Sequence, residues 1–296
     1  MATLIYPNSA PDQITLDNRA LAYGDGFFTT MGVITGKILW ESYHQSRLIN
    51  HALALQFDLP IYKFWGKVND AAKNLGEGII KLIVHRDAQN VQAVRGYGFS
   101  ANDQGRACQV WLKVTKASIA TDSYWQLSQN IKIPIQPFGE AICLTAQLAQ
   151  LPKPLAGVKS LNCLDNVMAA GELQALKVNQ PQLSEGLVRD LTGNWVEGVM
   201  SNMFYQLKND KRDLNNNYFS GQWLTPPIEH SGVDGVMRRV IIDKSQKMGQ
   251  PMIIRKLQDE DLPRLSKLLF CNAVRGVMPI DKLWLSQDAA VDLVQF

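Results

Sequence analysis

Strand-type and helix-type periodicities follow one another irregularly along this chain, and that order restricts the fold more than any other feature. Cys108, Val110, Leu112 and Val114 alternate with Gln109, Trp111 and Lys113, the two-residue period of a half-buried strand. Ile131, Ile133 and Ile135 alternate in the same way, and residues 79–84 form a short β-branched run suited to a buried strand. Residues 40–57 place Leu48, Ala52 and Leu55, backed by Ile49 and Leu53, at helical spacing, and Leu59-Pro60 ends that helix. A second helical stretch over 161–173 carries Leu164, Val167 and Met168 on one face. A third covers 232–248, with Val233, Asp234 and Gly235 in its first turn. Residues 186–191 and 195–207 predict a strand pair joined by Thr192-Gly193-Asn194. Strands are expected at 252–257 and 267–271, with a short helix over 259–265 between them. There is no regular βαβα alternation, so the pattern predicts an α+β fold rather than a doubly wound sheet. The strand pattern lapses at 115–123, which divides the chain into a smaller N-terminal domain, 1–117, and a larger C-terminal domain, 118–296.

The chain has 296 residues and is 46% hydrophobic, enough to bury a substantial core. Its formal charge of +3 is spread along the sequence without a basic run, which argues against a nucleic-acid arm or a polybasic membrane patch. Cys108, Cys143, Cys163 and Cys271 lie far apart without metal spacing and read as reduced thiols. The first residues lack the charged start and apolar run of a signal peptide, and no window is apolar for long enough to span a bilayer. A cytoplasmic protein is expected. No P-loop, no H-E-x-x-H and no G-x-S-x-G occurs, and Gly24-Asp25-Gly26 lacks the third glycine of a dinucleotide fingerprint.

Four segments carry chemistry. Tyr23-Gly24-Asp25-Gly26-Phe27-Phe28-Thr29-Thr30 reads by itself as a turn. Arg47, in His44-Gln45-Ser46-Arg47-Leu48, reads by itself as a surface charge. Lys159, in Gly157-Val158-Lys159-Ser160-Leu161-Asn162, is flanked by apolar residues just before a helix, where partial desolvation frees an amine for Schiff-base chemistry. Glu197 opens Glu197-Gly198-Val199-Met200-Ser201-Asn202-Met203-Phe204, an acidic residue in an apolar strand that needs a partner once buried.

Taken in order with Gly232-Val233-Asp234-Gly235-Val236-Met237-Arg238 and Cys271-Asn272-Ala273, these segments resemble the fold-type IV pyridoxal-phosphate enzymes. That class holds branched-chain aminotransferases, D-amino-acid aminotransferases and aminodeoxychorismate lyases. The resemblance implies a two-domain α+β enzyme with pyridoxal 5'-phosphate between the domains. It implies that Lys159 bonds the cofactor and shuttles protons, and that Glu197, with Asn202 nearby, faces the pyridine nitrogen. Arg47, the backbone of Val233 and Asp234, and Asn272 would form the phosphate cradle. Thr29-Thr30, the Lys159 segment and Arg95-Gly96-Tyr97 are similar to the lyase branch. Arg95 and Tyr97 would then meet substrate carboxylates, and Thr29 or Thr30 would stand near the leaving group. The implied activity is conversion of 4-amino-4-deoxychorismate to 4-aminobenzoate and pyruvate in folate synthesis, by a homodimer. The alternative within the class is an aminotransferase for branched-chain or D-amino acids.

Overall fold

The computed structural model describes residues 2–7, 16–88, 96–100, 102–128, 131–208 and 221–294. The chain forms two compact units, Met1–Ala120 with Val158–Cys163, and Thr121–Gly157 with Leu164–Phe296. The division is not a single cut, because the chain returns to the first unit at residues 158–163.

The first unit contains β1 (Ala2–Tyr6), α1 (Arg19–Tyr23), β2 (Gly26–Ile34), β3 (Lys37–Ile38), α2 (Glu41–Ala54), α3 (Trp65–Leu75), β4 (Gly78–Arg86), α4 (Asp103–Arg106) and β5 (Cys108–Lys116). Among the described residues its sheet runs β1-β5-β4-β2-β3, with β4 antiparallel to both β2 and β5. Alternation decides what each strand buries. Ile80, Leu82 and Val84 of β4 turn inward with Phe27 and Met31 of β2 and Cys108, Val110 and Leu112 of β5. Leu48 and Ala52 of α2 and Val68 and Ala72 of α3 join the same core. Each such aliphatic side chain contributes about 1.5–3 kcal/mol by leaving water. The odd-numbered residues of β4, Lys81 and Ile83 among them, lie on the sheet's other face.

Helix α2 forms where the spacing predicts it, but its inner stripe differs. Ile49 and Leu53 are exposed, and the buried positions are His44, Arg47, Leu48, His51 and Ala52. Those five fall at helical spacing, so the helix is amphipathic in geometry while three of its inner side chains are polar.

The second unit contains β6 (Tyr124–Ser128), β7 (Ile131–Pro134), β8 (Gly139–Leu148), α5 (Leu164–Lys177), β9 (Leu183–Asp190), β10 (Trp195–Gly198), β11 (Ser201–Leu207), β12 (Leu224–Thr225), α6 (Val236–Lys247), β13 (Ile253–Ile254), β14 (Leu265–Asn272), β15 (Gly276–Trp284) and β16 (Ala290–Asp292). Its main sheet follows the order β10-β9-β8-β15-β14-β11-β12-β13, with β16 beside β15. Because β10 also pairs with β11, the strands from β10 to β11 close a ring. Parallel pairs (β8 with β9 and with β15) mix with antiparallel ones, and the fold is α+β.

Three expectations change here. The stretch 195–207 is two strands, broken at Val199-Met200. On α5, Ala169 and Leu173 are buried while Leu164, Val167 and Met168 face outward. Helix α6 starts at Val236 instead of Gly232, because the backbone before it is claimed by other partners described below. The four cysteines are free, and burial pushes the thiols of Cys108 and Cys143 up to about 12.

Candidate active site

In the first unit, residues 159–161 run antiparallel to the start of β2. Phe28 N donates to Lys159 O at 3.0 Å, and Leu161 N donates to Gly26 O at 3.0 Å. This pairing sets Lys159 beside the outward face of β2. Its amine lies 4.8 Å from the centre of the Phe28 ring, and the amine of Lys81 lies 4.2 Å from the same ring. Lys81 stands opposite Thr30 in the β2–β4 register and opposite Lys113 in the β4–β5 register. Partial burial depresses the Lys81 pKa, with Lys113 adding to the effect and Cys163 opposing both. The result is a half-buried surface with two amines, an aromatic ring and the Thr30 hydroxyl, suited to an anionic, partly unsaturated ligand.

Successive strand residues point to opposite faces, so Thr29 and Thr30 part company. Thr29 is fully buried, and its hydroxyl hydrogen-bonds His44 Nδ1 at 2.7 Å. Burial holds the His44 ring well below its usual 6.5, and the Arg47 guanidinium reinforces the effect. Arg47 is only 5% exposed, so it is not the solvated charge that a lone arginine suggests. A guanidinium taken this far out of water is stable only among charged or hydrogen-bonding groups.

Asp25 proves to be a tie point. Its Oδ2 accepts from Arg19 Nε at 2.8 Å and from Arg86 Nε at 2.9 Å. Arg19 also donates to the carbonyls of Tyr97 and Gly98. The Tyr97 side chain is 84% exposed and its ring lies 5.1 Å from that of Tyr23. Arg95 lies outside the described residues.

In the second unit Glu197 and Asn202 face each other across the β10–β11 hairpin. Glu197 Oε2 accepts from Asn202 Nδ2 at 3.0 Å and from Val233 N at 2.9 Å. Asn202 Nδ2 also donates to Val233 O at 2.8 Å. The hairpin turn is clamped from below by Glu185. Its Oε1 accepts from Gly186 N and Val199 N, each at 3.0 Å, and its Oε2 accepts from Ser201 Oγ at 2.6 Å. Burial raises the Glu185 pKa, while these three donors pull it back.

This web uses up the amides expected to cradle phosphate. Val233 N goes to Glu197, and Asp234 N goes to Gly157 O at 3.0 Å. The Asp234 carboxylate pairs with Arg239. The helix N-terminus is therefore two residues further on, at Val236 and Met237. Gly235 caps it without a side-chain bond, leaving the first-turn amides for an anion. Space is tight: a Cβ on Gly235 would sit 1.7 Å from Asn202 Oδ1, and one on Gly232 would sit 3.0 Å from Glu197 Oε2. Asn272 closes a turn, its Oδ1 accepting from Val274 N and Arg275 N.

Sequence reasoning missed His44, His51, Lys81 and Glu185. Their positions are inner or register positions, visible only once helix face and strand pairing are known. Within the first unit a half-buried amine and a buried guanidinium, and within the second a buried carboxylate and a helix N-terminus hemmed by glycine, are each of a chemistry that suits pyridoxal phosphate.

The amino-transferase class IV family profile matches residues 26–283. A protein of Methanocaldococcus jannaschii provisionally named as a branched-chain-amino-acid aminotransferase is 26% identical over 279 residues, 90% of this chain and 82% of that protein. An aminodeoxychorismate lyase of Vibrio harveyi is 24% identical over 283 residues, 94% of this chain and 90% of that protein. The crystal structure of 4-amino-4-deoxychorismate lyase from Pseudomonas aeruginosa matches with a TM-score of 0.77 at 25% identity, covering 100% of this chain and 94% of that one.

Proposed function

The chain belongs to the amino-transferase class IV family, and from that premise we propose that it is a lyase converting 4-amino-4-deoxychorismate to 4-aminobenzoate and pyruvate. The cofactor is pyridoxal 5'-phosphate, which when bound supplies an electron-accepting ring conjugated to the substrate amine. Lys159 would hold the cofactor through its amine, and the same amine, when free, would take the proton from substrate C4. The electrons of that C–H bond enter the six-membered ring as the C–O bond to the enolpyruvyl group breaks. The three-carbon unit gains a proton and leaves as pyruvate, and the ring becomes aromatic. Because aromatisation drives the step, the protein mainly orients groups and places protons.

Glu197, held by Asn202, keeps a proton on the pyridine nitrogen. Arg47 and the amides of Val236 and Met237 take the phosphate. Lys81, with Arg95 and Tyr97, meets the substrate carboxylates. Thr30 donates to the departing oxygen, while Thr29, Asn272, Val233 and Asp234 keep the structural tasks described above. The observation that carries the choice of lyase is Thr30, a hydroxyl on the same side of β2 as the Phe28 ring beneath the Lys159 amine.

The exposed apolar residues Leu164, Val167 and Met168 on α5 support a homodimer, since a lone water-facing apolar patch is unfavourable. Met168→Glu is expected to yield a monomer on size exclusion with its unfolding midpoint nearly unchanged. A dimer of unaltered affinity counts against this face. No helix among the described residues is long and apolar enough to cross a membrane, and we place the enzyme in the cytoplasm.

The function is tested by adding aminodeoxychorismate to cofactor-loaded protein without any 2-oxo acid. Equal release of 4-aminobenzoate and pyruvate, abolished in Lys159→Ala, is the expected result. A cofactor band that shifts with amino acids while neither product forms moves the assignment to an aminotransferase, the activity in the name of the M. jannaschii relative.

A further inference from the structure

Lys159 sits at the apex of a three-residue turn, closed by Ser160 N donating to Val158 O at 2.9 Å. A turn of this kind has one short hydrogen bond and does not by itself fix where the apex side chain leaves the backbone. Both main-chain groups of the apex are held from outside. Its carbonyl accepts from Phe28 N, and its N–H donates to His51 Nε2 at 3.1 Å. We propose that His51 is a positioning residue for the reactive lysine, a role that rests on the reading of Lys159 as the cofactor-bearing residue.

His51 is well placed for this. It lies on the buried stripe of α2, only 4% exposed. Its ring meets the fully buried Phe27 edge-on, at 5.4 Å and 90°. Phe27 in turn stacks on Phe57 at 5.9 Å and 21°. The imidazole is thus aimed by packing and presents Nε2 as an acceptor to the Lys159 amide. The partner amide is 108 residues away in sequence. Strand β2 holds one side of the apex and α2 the other, which fixes the Cα–Cβ direction of Lys159 toward the Phe28 face. Without the imidazole acceptor a part-buried N–H loses its partner and the apex is free to turn. Histidine here sets where the amine stands and does not touch the reacting atoms.

The test compares cofactor-loaded, full-length wild type with His51→Gln, which keeps an acceptor near Nε2, and His51→Phe, which keeps the ring packing and removes the acceptor. Borohydride reduction followed by peptide mapping identifies the cofactor-bearing lysine. Cofactor loss is followed by absorbance after dilution into cofactor-free buffer, and exchange of the Lys159 amide is read against the urea midpoint. We expect the label on Lys159 in all three proteins. His51→Gln should release cofactor at close to the wild-type rate. His51→Phe should release it about ten-fold faster, with a similar acceleration of amide exchange, as the loss of one such hydrogen bond predicts. Equal release from His51→Phe and wild type overturns the proposal, as does His51→Gln failing as badly as His51→Phe. A label on a different lysine overturns the Lys159 reading itself, and this inference falls with it. Should His51→Phe not fold, the wild-type amide decides alone: protection comparable to its β2 neighbours supports the role, and exchange at the rate of an unstructured amide refutes it.

Discussion

In the first unit Lys159, Lys81, Thr30 and Phe28 stand on the outward face of a sheet whose stability comes from the aliphatic side chains on its other face. In the second unit Glu197 and Asn202 are themselves buried, and the backbone that crosses them is bonded to their side chains. The first arrangement separates the proposed chemistry from folding, since alternation assigns one to each face of a strand. The second merges them, so that a change at Glu197 or Asn202 alters the hairpin and the entry to α6 together. Side chains on the sheet face should therefore tolerate replacement without loss of fold, and the groups around Glu197 should not.

The sharpest way to break this comparison is Gly235→Ala. The added methyl meets Asn202 Oδ1 at 1.7 Å, so either the asparagine or the helix start must move. A stability loss of about 3 kcal/mol in urea unfolding is expected, with cofactor retention falling in parallel. A protein of wild-type stability would show that the second unit is looser than its hydrogen bonds suggest. Asn202→Ala comes next. It strips one donor from Glu197 Oε2 and leaves the Val233 carbonyl without that partner, at a cost of about 2 kcal/mol and with a weakened cofactor band. On the other side of the comparison, Thr30→Val should lower turnover about ten-fold or more while shifting stability by no more than about 0.5 kcal/mol. A large stability loss there would mean that the sheet face is not separable after all.

The smallest effect concerns pH. His44 and His85 have folded pKa values lowered by burial, so the stability tied to their neutral forms is present above about pH 6.5 and is lost as pH falls below it. Glu185, raised by burial, works the other way: its contribution is present below its usual 4.5 and is lost as pH rises through its folded value. Urea midpoints measured from pH 8 down to 5.5 should decline. His44→Gln should flatten that decline without abolishing it, because His85 remains. An unchanged slope would show that His44 does not set the acid limb.

What could be read from the sequence divides along the same line. The alternation at Cys108–Val114 reported both a strand and its core face, because a sheet with one apolar side writes its period into the chain. Helix α2 was legible as a helix, but its inner face was not, since His44, Arg47 and His51 occupy positions that pattern reading reserves for apolar residues. The break at Val199-Met200 follows Gly198, a weak turn signal inside a strand pattern. It is held by the Glu185 carboxylate reaching across from β9, a tertiary contact that the local sequence does not show. Helix α6 starts later than its spacing predicts for the same reason, as Glu197 and Gly157 take the amides that would have opened the helix earlier. Lys159 stands out in the sequence by its apolar neighbours, whereas the imidazole that bonds its amide does not.

The return of residues 158–163 to the first unit has a consequence for how the protein is made. The free edge of β2 at Gly26 and Phe28 is paired by Lys159 and Leu161, so the first unit stays unfinished until more than half of the chain has left the ribosome. At roughly 5–20 residues per second that is an interval of several seconds or more, during which a partly built sheet presents an open strand edge to the cell. The amine proposed to carry the cofactor arrives with the piece that closes this edge, so a nascent chain gains that amine and its protection from aggregation in one event.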